Sequence, residues 1–259
     1  MNNKVKKIIN KKNKSKIICL TAYSKKIASI LDKHCDLVLV GDSLGSVLYN
    51  YKSTKEVTLD IMINHSKSVR LGVQNSLMVV DMPYNTYRSP KEALKNVKLV
   101  IKKTKCDAVK LEGGRNIIPI VKTLVKNKIS VMGHVGILPQ TDKRFTFKGK
   151  KIKESKKILK DTKLLENAGV FCIVLECIET NLSKKITDQI KIPTIGIGSS
   201  SNCDGQVLVI DDLIGMSDSN FKFVKKYANV SKVIENAVKK YKVEVKKKQF
   251  PKAKHSFKN

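Results

Sequence analysis

An apolar run that ends in a carboxylate recurs along this sequence and limits the folds that it can adopt. Four branched aliphatic residues, Leu37 to Val40, are followed directly by Gly41, Asp42 and Ser43. A short continuous apolar run predicts a strand that is buried on both faces, as in parallel sheets covered by helices. The same pattern occurs in three later stretches, Leu77 to Asp81, Ala108 to Gly114 and Cys172 to Glu176. This recurrence predicts a repeated strand-helix unit with acids at equivalent strand ends.

Eight apolar segments of this kind alternate with segments of helical periodicity. The predicted strands are 17–21, 37–40, 77–81, 108–112, 129–136, 171–176, 194–198 and 206–210. The length of 259 residues suits a (β/α)8 barrel, which typically has about 250 residues. We therefore predict an α/β fold, a single (β/α)8 TIM barrel over residues 1–259, with an open doubly wound sheet as the alternative. Residues 1–15 are predicted to be a frayed basic arm and residues 248–259 a basic tail.

The formal net charge of +30 raises the question of a nucleic-acid partner. Only four of the 52 basic residues are arginine, the residue best suited to phosphates and base edges. The lysines are spread over nearly every predicted helix, and aromatic residues make up only 5% of the chain. This composition favours a solvated lysine-rich surface that binds polyanions nonspecifically at low salt over a specific nucleic-acid site.

Cysteine spacing and hydropathy bear on the compartment. The six cysteines form no Cys-x-x-Cys pair, which favours buried reduced thiols in a cytosolic protein over a zinc site or a disulfide framework. No apolar run approaches the roughly 18 residues that cross a bilayer. The first residues lack the apolar core of a signal peptide and the arginines of a transit peptide. We therefore predict a cytoplasmic protein without membrane partners.

The acids at the strand ends are expected to converge, because the carboxyl ends of parallel strands share one face. Asp42, Asp81, Glu112 and Glu176 would meet there, and His134 would be either a core histidine or a partner of the site. Crowded carboxylates predict a bound cation or a raised pKa. Oxygen ligands with almost no histidine or cysteine nearby favour Mg²⁺ over zinc. We predict that Asp42, Asp81 and Glu112 surround Mg²⁺ directly or through water, although Asp42 and Asp81 could each be turn residues.

Lys110 precedes Glu112 by two residues, so the strand pleat directs both side chains to the same side. A lysine inside a barrel requires an anion, either a substrate carboxylate or an internal partner such as Glu112 or Asp81. Ser43 can donate a hydrogen bond to the same substrate. Glu176 follows the sixth strand, so it is the candidate for a base that acts on the ligand. A metal held on a 2-oxo acid would acidify the adjacent carbon and stabilise an enolate.

Longer motifs occur in an order that resembles one enzyme family. They are Thr21-Ala22-Tyr23, Val40-Gly41-Asp42-Ser43-Leu44-Gly45, Asp81-Met82-Pro83, Val109-Lys110-Leu111-Glu112-Gly113-Gly114, Gly133-His134-Val135-Gly136, Leu138-Pro139-Gln140, Leu175-Glu176-Cys177, Ile195-Gly196-Ile197-Gly198, Cys203-Asp204-Gly205-Gln206-Val207-Leu208-Val209 and His255-Ser256-Phe257. From about Lys16 to Phe257 the chain resembles the 3-methyl-2-oxobutanoate hydroxymethyltransferases, also called ketopantoate hydroxymethyltransferases.

The resemblance implies an enzyme of pantothenate biosynthesis that depends on Mg²⁺. Such enzymes transfer a hydroxymethyl group from 5,10-methylenetetrahydrofolate to 3-methyl-2-oxobutanoate and so form 2-dehydropantoate (ketopantoate). By resemblance, Mg²⁺ would be held by Asp42, Asp81 and Glu112. The oxo acid would be contacted by Asp42, Ser43, Asp81 and Lys110, and Glu176 would be the catalytic proton acceptor. The resemblance also implies a cytoplasmic homo-oligomer, a ring-stacked decamer, with small-molecule partners only.

The chain departs from the family's pattern after Gln140. The run from Arg144 to Lys150 stands where the family has a Gly-Gly-aromatic stretch and a Val-Gln-Gly run, which predicts altered folate access with the metal cluster intact. The segment 138–155 is either a mobile cover over the barrel mouth or a plain surface loop. Two alternatives in function remain: a Mg²⁺-dependent 2-oxo acid lyase or mutase that needs no folate, and a basic nucleic-acid-binding protein.

Overall fold

Eight parallel strands close into one barrel in the order of the sequence. The computed structural model describes residues 2–142 and 146–257. The strands are β1 (Ile17–Thr21), β2 (Leu37–Val40), β3 (Leu77–Asp81), β4 (Ala108–Glu112), β5 (Val131–Gly136), β6 (Cys172–Glu176), β7 (Thr194–Ile197) and β8 (Gly205–Leu208). Pairing of β1 with β8 closes the barrel, with Ile17 opposite Gly205. The predicted TIM barrel is confirmed, and the open-sheet alternative is wrong.

Helices follow the strands as the alternating pattern predicted, except that β8 comes after β7 with no helix between them. They are α1 (Asn3–Ile9), α2 (Lys25–Leu31), α3 (Leu44–Tyr49), α4 (Leu59–Arg70), α5 (Pro90–Thr104), α6 (Ile118–Lys126), α7 (Ile152–Ala168), α8 (Thr180–Gln189), α9 (Ile210–Leu213) and α10 (Val230–Lys246). The Ser89 side chain caps α5 by accepting a hydrogen bond from the Glu92 N–H, and Pro90 occupies the first turn. Residues 152–155, which the sequence placed in the irregular segment 138–155, form the start of α7, because the lysine-rich first turns of this helix hide its apolar period.

The chain divides into two compact units, Met1–Val209 and Ile210–Asn259. The single domain expected over residues 1–259 stays a prediction. The first unit contains the barrel. The second contains α9, α10 and a 3-10 turn at Ala253–His255. Within the second unit the Tyr241 and Phe250 rings meet edge to face, with their centroids 5.6 Å apart. The predicted basic tail therefore includes a local turn and aromatic contacts.

The predicted frayed arm at the N-terminus is wrong, because Asn3–Ile9 form α1. The Asn2 side chain caps this helix by accepting a hydrogen bond from the Lys4 N–H. Val5 and Ile8, three residues apart on one face, are 0% and 3% exposed. Lys4 Nζ also donates to the carbonyl of Ser76, which directly precedes β3, at 3.0 Å. Helix α1 thus covers the amino end of the barrel; its two apolar contacts among many lysines were too few to signal this.

Alternate residues of the strands fill the barrel interior, as the period of two requires. One buried cluster contains Val5, Ile8, Ile17, Cys19, Leu37, Leu39, Leu77, Val79, Ala108, Met132, Phe171, Cys172, Val174, Ile195 and Val207. Asp81, Lys110, His134 and Glu176 each lie two residues beyond a member of this cluster on β3, β4, β5 or β6. Their side chains therefore occupy the next interior layer, at the carboxyl end of the barrel.

Other expectations from composition agree with the structure. All six cysteines are unpaired and buried. Burial raises the pKa of the Cys106 thiol to about 11, so it stays protonated at neutral pH. Within residues 2–142 and 146–257, every helix is too short or too polar to cross a bilayer. The segment 138–155 was predicted to be a cover or a surface loop. Its residues 143–145, which include Arg144 and Phe145, lie outside the described residues.

Candidate active site

Six titratable side chains meet at the carboxyl ends of β2 to β6, and they are named here the charged cluster. Its members are Asp42, Asp81, Lys110, Glu112, His134 and Glu176. The first five are each 6% exposed or less. The structure thus brings together the acids that the sequence placed on separate strands. Ionisable groups buried to this extent are stable only with partners of opposite charge or hydrogen-bond donors.

Asp81 lies at the centre of one half of the charged cluster. Its Oδ2 accepts hydrogen bonds from Lys110 Nζ at 2.8 Å and from the backbone N–H of Asp42 at 3.1 Å. Its Oδ1 is buried without a hydrogen-bond donor. The internal ion pair considered for Lys110 is therefore present. Burial opposes the charge of Lys110, but the carboxylates of Asp81, Asp42 and Glu112 outweigh it and raise the lysine pKa above its ordinary value.

The Asp42 carboxyl lies between β2 and the start of α3. Burial, and then the negative charges of Asp81 and Glu112, raise its pKa to about 8. Asp42 Oδ2 accepts a hydrogen bond from Gln140 Nε2 at 2.8 Å. Without a further cation, this carboxyl is thus mostly protonated at neutral pH. Burial is the largest cause of the shift, and the negative charges of Asp81 and Glu112 add to it.

His134 lies between two carboxylates in the other half of the charged cluster. Nδ1 is 3.4 Å from Glu112 Oε1 and Nε2 is 3.2 Å from Glu176 Oε2, both ion-pair distances without hydrogen-bond alignment. Burial opposes its charge, but these two carboxylates outweigh it and raise the His134 pKa to about 9. His134 is therefore a charged partner of the site rather than a neutral core histidine. Glu176 is the more open of its two partners, with its side chain 13% exposed.

Three polar residues that had no predicted role complete the site. Gln140 is 2% exposed and contacts both Asp42 and Glu112. The Tyr87 hydroxyl donates to Gln140 Oε1. Tyr23 OH lies 2.9 Å from the Oγ of Ser43, the half-buried serine predicted to bind substrate. Gln140 and Tyr23 do occur in the motifs quoted above, but a single loop glutamine or tyrosine has no spacing signature of its own.

Gly136 sets the approach of β5 to β6 beside Glu176. Its φ is +103°, a backbone conformation that residues with a side chain rarely adopt. A Cβ at this position would also collide with the Glu176 carbonyl oxygen. Gly136 pairs with Glu176 in the barrel, so the glycine permits the register that places Glu176 beside His134.

The metal-binding role predicted for Asp42, Asp81 and Glu112 stays a prediction. Among residues 2–142 and 146–257, no three His, Cys, Asp or Glu side chains are grouped closely enough to hold a metal ion together. Gln140 lies between two of the acids: its side-chain amide donates to Asp42, and its backbone N–H donates to Glu112 Oε2 at 3.1 Å. In this arrangement of the described residues, at most two of these side chains could contact one metal ion directly.

Comparison with known structures places the fold. A phosphonopyruvate hydrolase superposes with a TM-score of 0.65 at 8% identity, covering 100% of this chain and 92% of that one. A 2,3-dimethylmalate lyase of the PEP mutase/isocitrate lyase superfamily gives 0.63 at 11% identity, covering 99% and 89%. At these identities the similarity concerns the fold alone.

Sequence comparison identifies the family. The profile described as ketopantoate hydroxymethyltransferase matches residues 2–253. A 3-methyl-2-oxobutanoate hydroxymethyltransferase of Pelagibacter ubique (strain HTCC1062) is 65% identical over 257 residues, which are 99% of this chain and 100% of that protein. The enzyme of the same name from Anaplasma marginale (strain Florida) is 46% identical, covering 95% and 90%. The chain therefore belongs to the ketopantoate hydroxymethyltransferase family.

Proposed function

We propose that the chain transfers a hydroxymethyl group from 5,10-methylenetetrahydrofolate to 3-methyl-2-oxobutanoate, in a Mg²⁺-dependent reaction that passes through the enolate of the oxo acid. Membership of the family supplies the transfer to the oxo acid. The folate donor, the cation and the enolate are our proposal. The observation that carries it is the charged cluster at the carboxyl end of the barrel, where TIM-barrel enzymes have their active sites.

The charge balance of the cluster supports a divalent cation. Four carboxylates face the positive charges of Lys110 and His134, so two negative charges remain if all six groups are ionised. One divalent cation would neutralise them. Asp81 Oδ1, buried and without a donor, is an oxygen that such a cation would satisfy. The donor set also suits Mg²⁺, which prefers carboxylate oxygens and keeps several of its waters.

The contacts within the cluster favour different roles for the three acids. Asp42 and Asp81 each engage Oδ2 in hydrogen bonds, while Oδ1 of Asp81 has no donor. Both oxygens of Glu112 already have partners, His134 and the Gln140 N–H. We therefore assign Asp42 and Asp81 as direct ligands of Mg²⁺ and Glu112 as a ligand through water. Two direct ligands agree with the finding that no three acidic, histidine or cysteine side chains of the described residues are grouped to hold a metal ion.

Two side chains are proposed to hold the oxo acid. The Lys110 ammonium has three protons, and one is used in the bond to Asp81, so it can also attract the substrate carboxylate. Ser43 stands directly after Asp42 at the end of β2, and its hydroxyl can donate to the same substrate. Tyr23 restricts the Ser43 hydroxyl, because the two oxygens share a hydrogen bond. Asp42 and Asp81 are also proposed to contact the oxo acid.

Glu176 is proposed to take the proton from C3 of the oxo acid. When bound, Mg²⁺ would withdraw electron density from the 2-oxo group and so acidify that carbon. Glu176 is more exposed than Asp81, Glu112 and Lys110, which suits a group that reaches a ligand rather than another side chain. His134 Nε2, 3.2 Å from Glu176 Oε2, limits the rotation of this carboxylate. The enolate carbon would then form a bond to the methylene carbon of the folate, the C–N bonds of that carbon would break, water would supply the hydroxyl oxygen, and tetrahydrofolate would leave.

An assay of product formation tests the proposal. The protein is incubated with 3-methyl-2-oxobutanoate and Mg²⁺, with and without 5,10-methylenetetrahydrofolate, and with EDTA in a third arm. We expect ketopantoate only when folate and Mg²⁺ are both present. Turnover of the oxo acid without folate would instead support a lyase or mutase, and full activity in EDTA would remove Mg²⁺ from the mechanism.

The family resemblance also leads us to propose assembly and location. A ring-stacked homodecamer in the cytoplasm is proposed on that basis alone. Light scattering coupled to size-exclusion chromatography would give a mass about ten times that of the 29.0 kDa chain. A monomer or dimer at micromolar concentration would contradict the assembly.

A further inference from the structure

Gln140 makes more contacts within the active site than its position in a loop suggests. It lies four residues after β5, in a turn where the N–H groups of Thr141 and Asp142 both donate to the Leu138 carbonyl. Its backbone N–H donates to Glu112 Oε2 at 3.1 Å, and its side-chain Nε2 donates to Asp42 Oδ2 at 2.8 Å. One residue therefore connects two acids at the carboxyl ends of different strands, Asp42 after β2 and Glu112 at the end of β4.

The orientation of the Gln140 amide is determined by its neighbours. Nε2 faces two acceptors, Asp42 Oδ2 and the Met82 carbonyl at 2.9 Å, and Oε1 accepts from the Tyr87 hydroxyl. A rotated amide would place its oxygen against both acceptors, so only one orientation is compatible with the site. Gln140 is buried and Tyr87 is half-buried, so their hydrogen bond is partly shielded from water.

We propose that Gln140 is a positioning residue that holds the Asp42 carboxylate in the orientation required for cation binding, with Tyr87 acting through it. This inference rests on the function proposed above. Asp42 Oδ2 is held by the amide, so the carboxylate cannot rotate freely and its other oxygen keeps a fixed direction. Groups that orient metal ligands in this way typically change metal affinity or activity about 10- to 100-fold when they are removed.

The main test uses Gln140→Met, which keeps the length of the side chain but removes every amide hydrogen bond. Titration calorimetry with Mg²⁺ alone measures cation affinity, and the ketopantoate assay gives kcat and the KM values. We expect Mg²⁺ affinity to fall about 10- to 100-fold. We also expect kcat measured at low Mg²⁺ to fall similarly and to recover when Mg²⁺ is raised by the same factor. The KM for the folate should not change. Gln189→Met makes the same replacement at an exposed position of α8 and should match the wild type.

Tyr87→Phe provides a second variant that leaves the Gln140 amide in place. Loss of one neutral hydrogen bond should lower Mg²⁺ affinity about fivefold. Because Tyr87 is proposed to act through Gln140, the double variant should have the affinity of Gln140→Met alone. This variant also tests the inference if Gln140→Met does not fold.

Several outcomes would overturn the inference. Unchanged Mg²⁺ affinity in a folded Gln140→Met protein that has lost activity would mean that Gln140 has only a structural role. If the effects of the two substitutions on Mg²⁺ affinity are additive, Tyr87 does not act through Gln140. If the wild type forms ketopantoate while Gln140→Met is as active at low Mg²⁺, the inference fails and the proposed function stands. A wild type that neither binds Mg²⁺ nor forms ketopantoate would overturn both.

Discussion

Replacing Lys110 with methionine should strongly destabilise the barrel, because Asp81 would lose its positive partner. Lys110 Nζ and Asp81 Oδ2 are 2.8 Å apart, and the side chains are 7% and 3% exposed. At an effective dielectric constant of about 20, the Coulomb attraction at that distance is about 6 kcal/mol. Desolvation offsets part of this, and removal of one partner from a buried pair typically costs about 3–5 kcal/mol. We expect the free energy of unfolding to fall by that amount in EDTA.

A matched exposed pair supplies the control. Lys184 and Asp188 are 2.6 Å apart, but their side chains are 54% and 57% exposed. Lys184→Met should therefore lower the free energy of unfolding by no more than about 0.5 kcal/mol. Urea unfolding followed by far-ultraviolet circular dichroism measures both variants against the wild type. Equal losses in the two variants would refute the argument that burial, rather than distance, determines the contribution of the Lys110 pair.

Three further predictions concern catalysis and stability. Glu176→Gln should slow deuterium exchange at C3 of the oxo acid about 10²- to 10⁴-fold, measured by NMR, and leave Mg²⁺ affinity unchanged; unaltered exchange would exclude Glu176 as the base. Burial opposes ionisation of Asp32, but N–H groups including those of Asn75 and Ser76 lower its pKa. Its contribution is therefore present above about pH 4 and lost as pH falls, so Asp32→Asn should flatten the acid side of stability measured by urea unfolding. Val5→Ala should cost about 2 kcal/mol in the same assay; no loss would mean that α1 is frayed in solution.

The position of the site could be predicted from the sequence because two regularities determine it. Parallel strands in a barrel present their carboxyl ends on one face, and the period of two directs Asp81 and Lys110 into the interior. Each apolar run marked where its strand ends. Neither regularity depends on contacts between distant residues. The residues of each strand alone were therefore enough to predict where the site lies.

The role of His134 could not be decided in this way. Its neighbours depend on how β4, β5 and β6 align, with Glu112 opposite His134 and Gly136 opposite Glu176. The sequence of one strand contains no information about this alignment. The contacts of Gln140 were unpredictable for a related reason, since they depend on the path of the loop after β5 back across the barrel.

The closure of the barrel by β1 and β8 has a consequence for how the protein folds. Val5 and Val207 belong to the same buried cluster, although the whole length of the barrel separates them in the chain. Contacts between such distant residues slow folding, because a long loop must be ordered before they form. During synthesis, the barrel therefore cannot close until β8 has left the ribosome, and the edge of β1 that pairs with β8 is exposed until then.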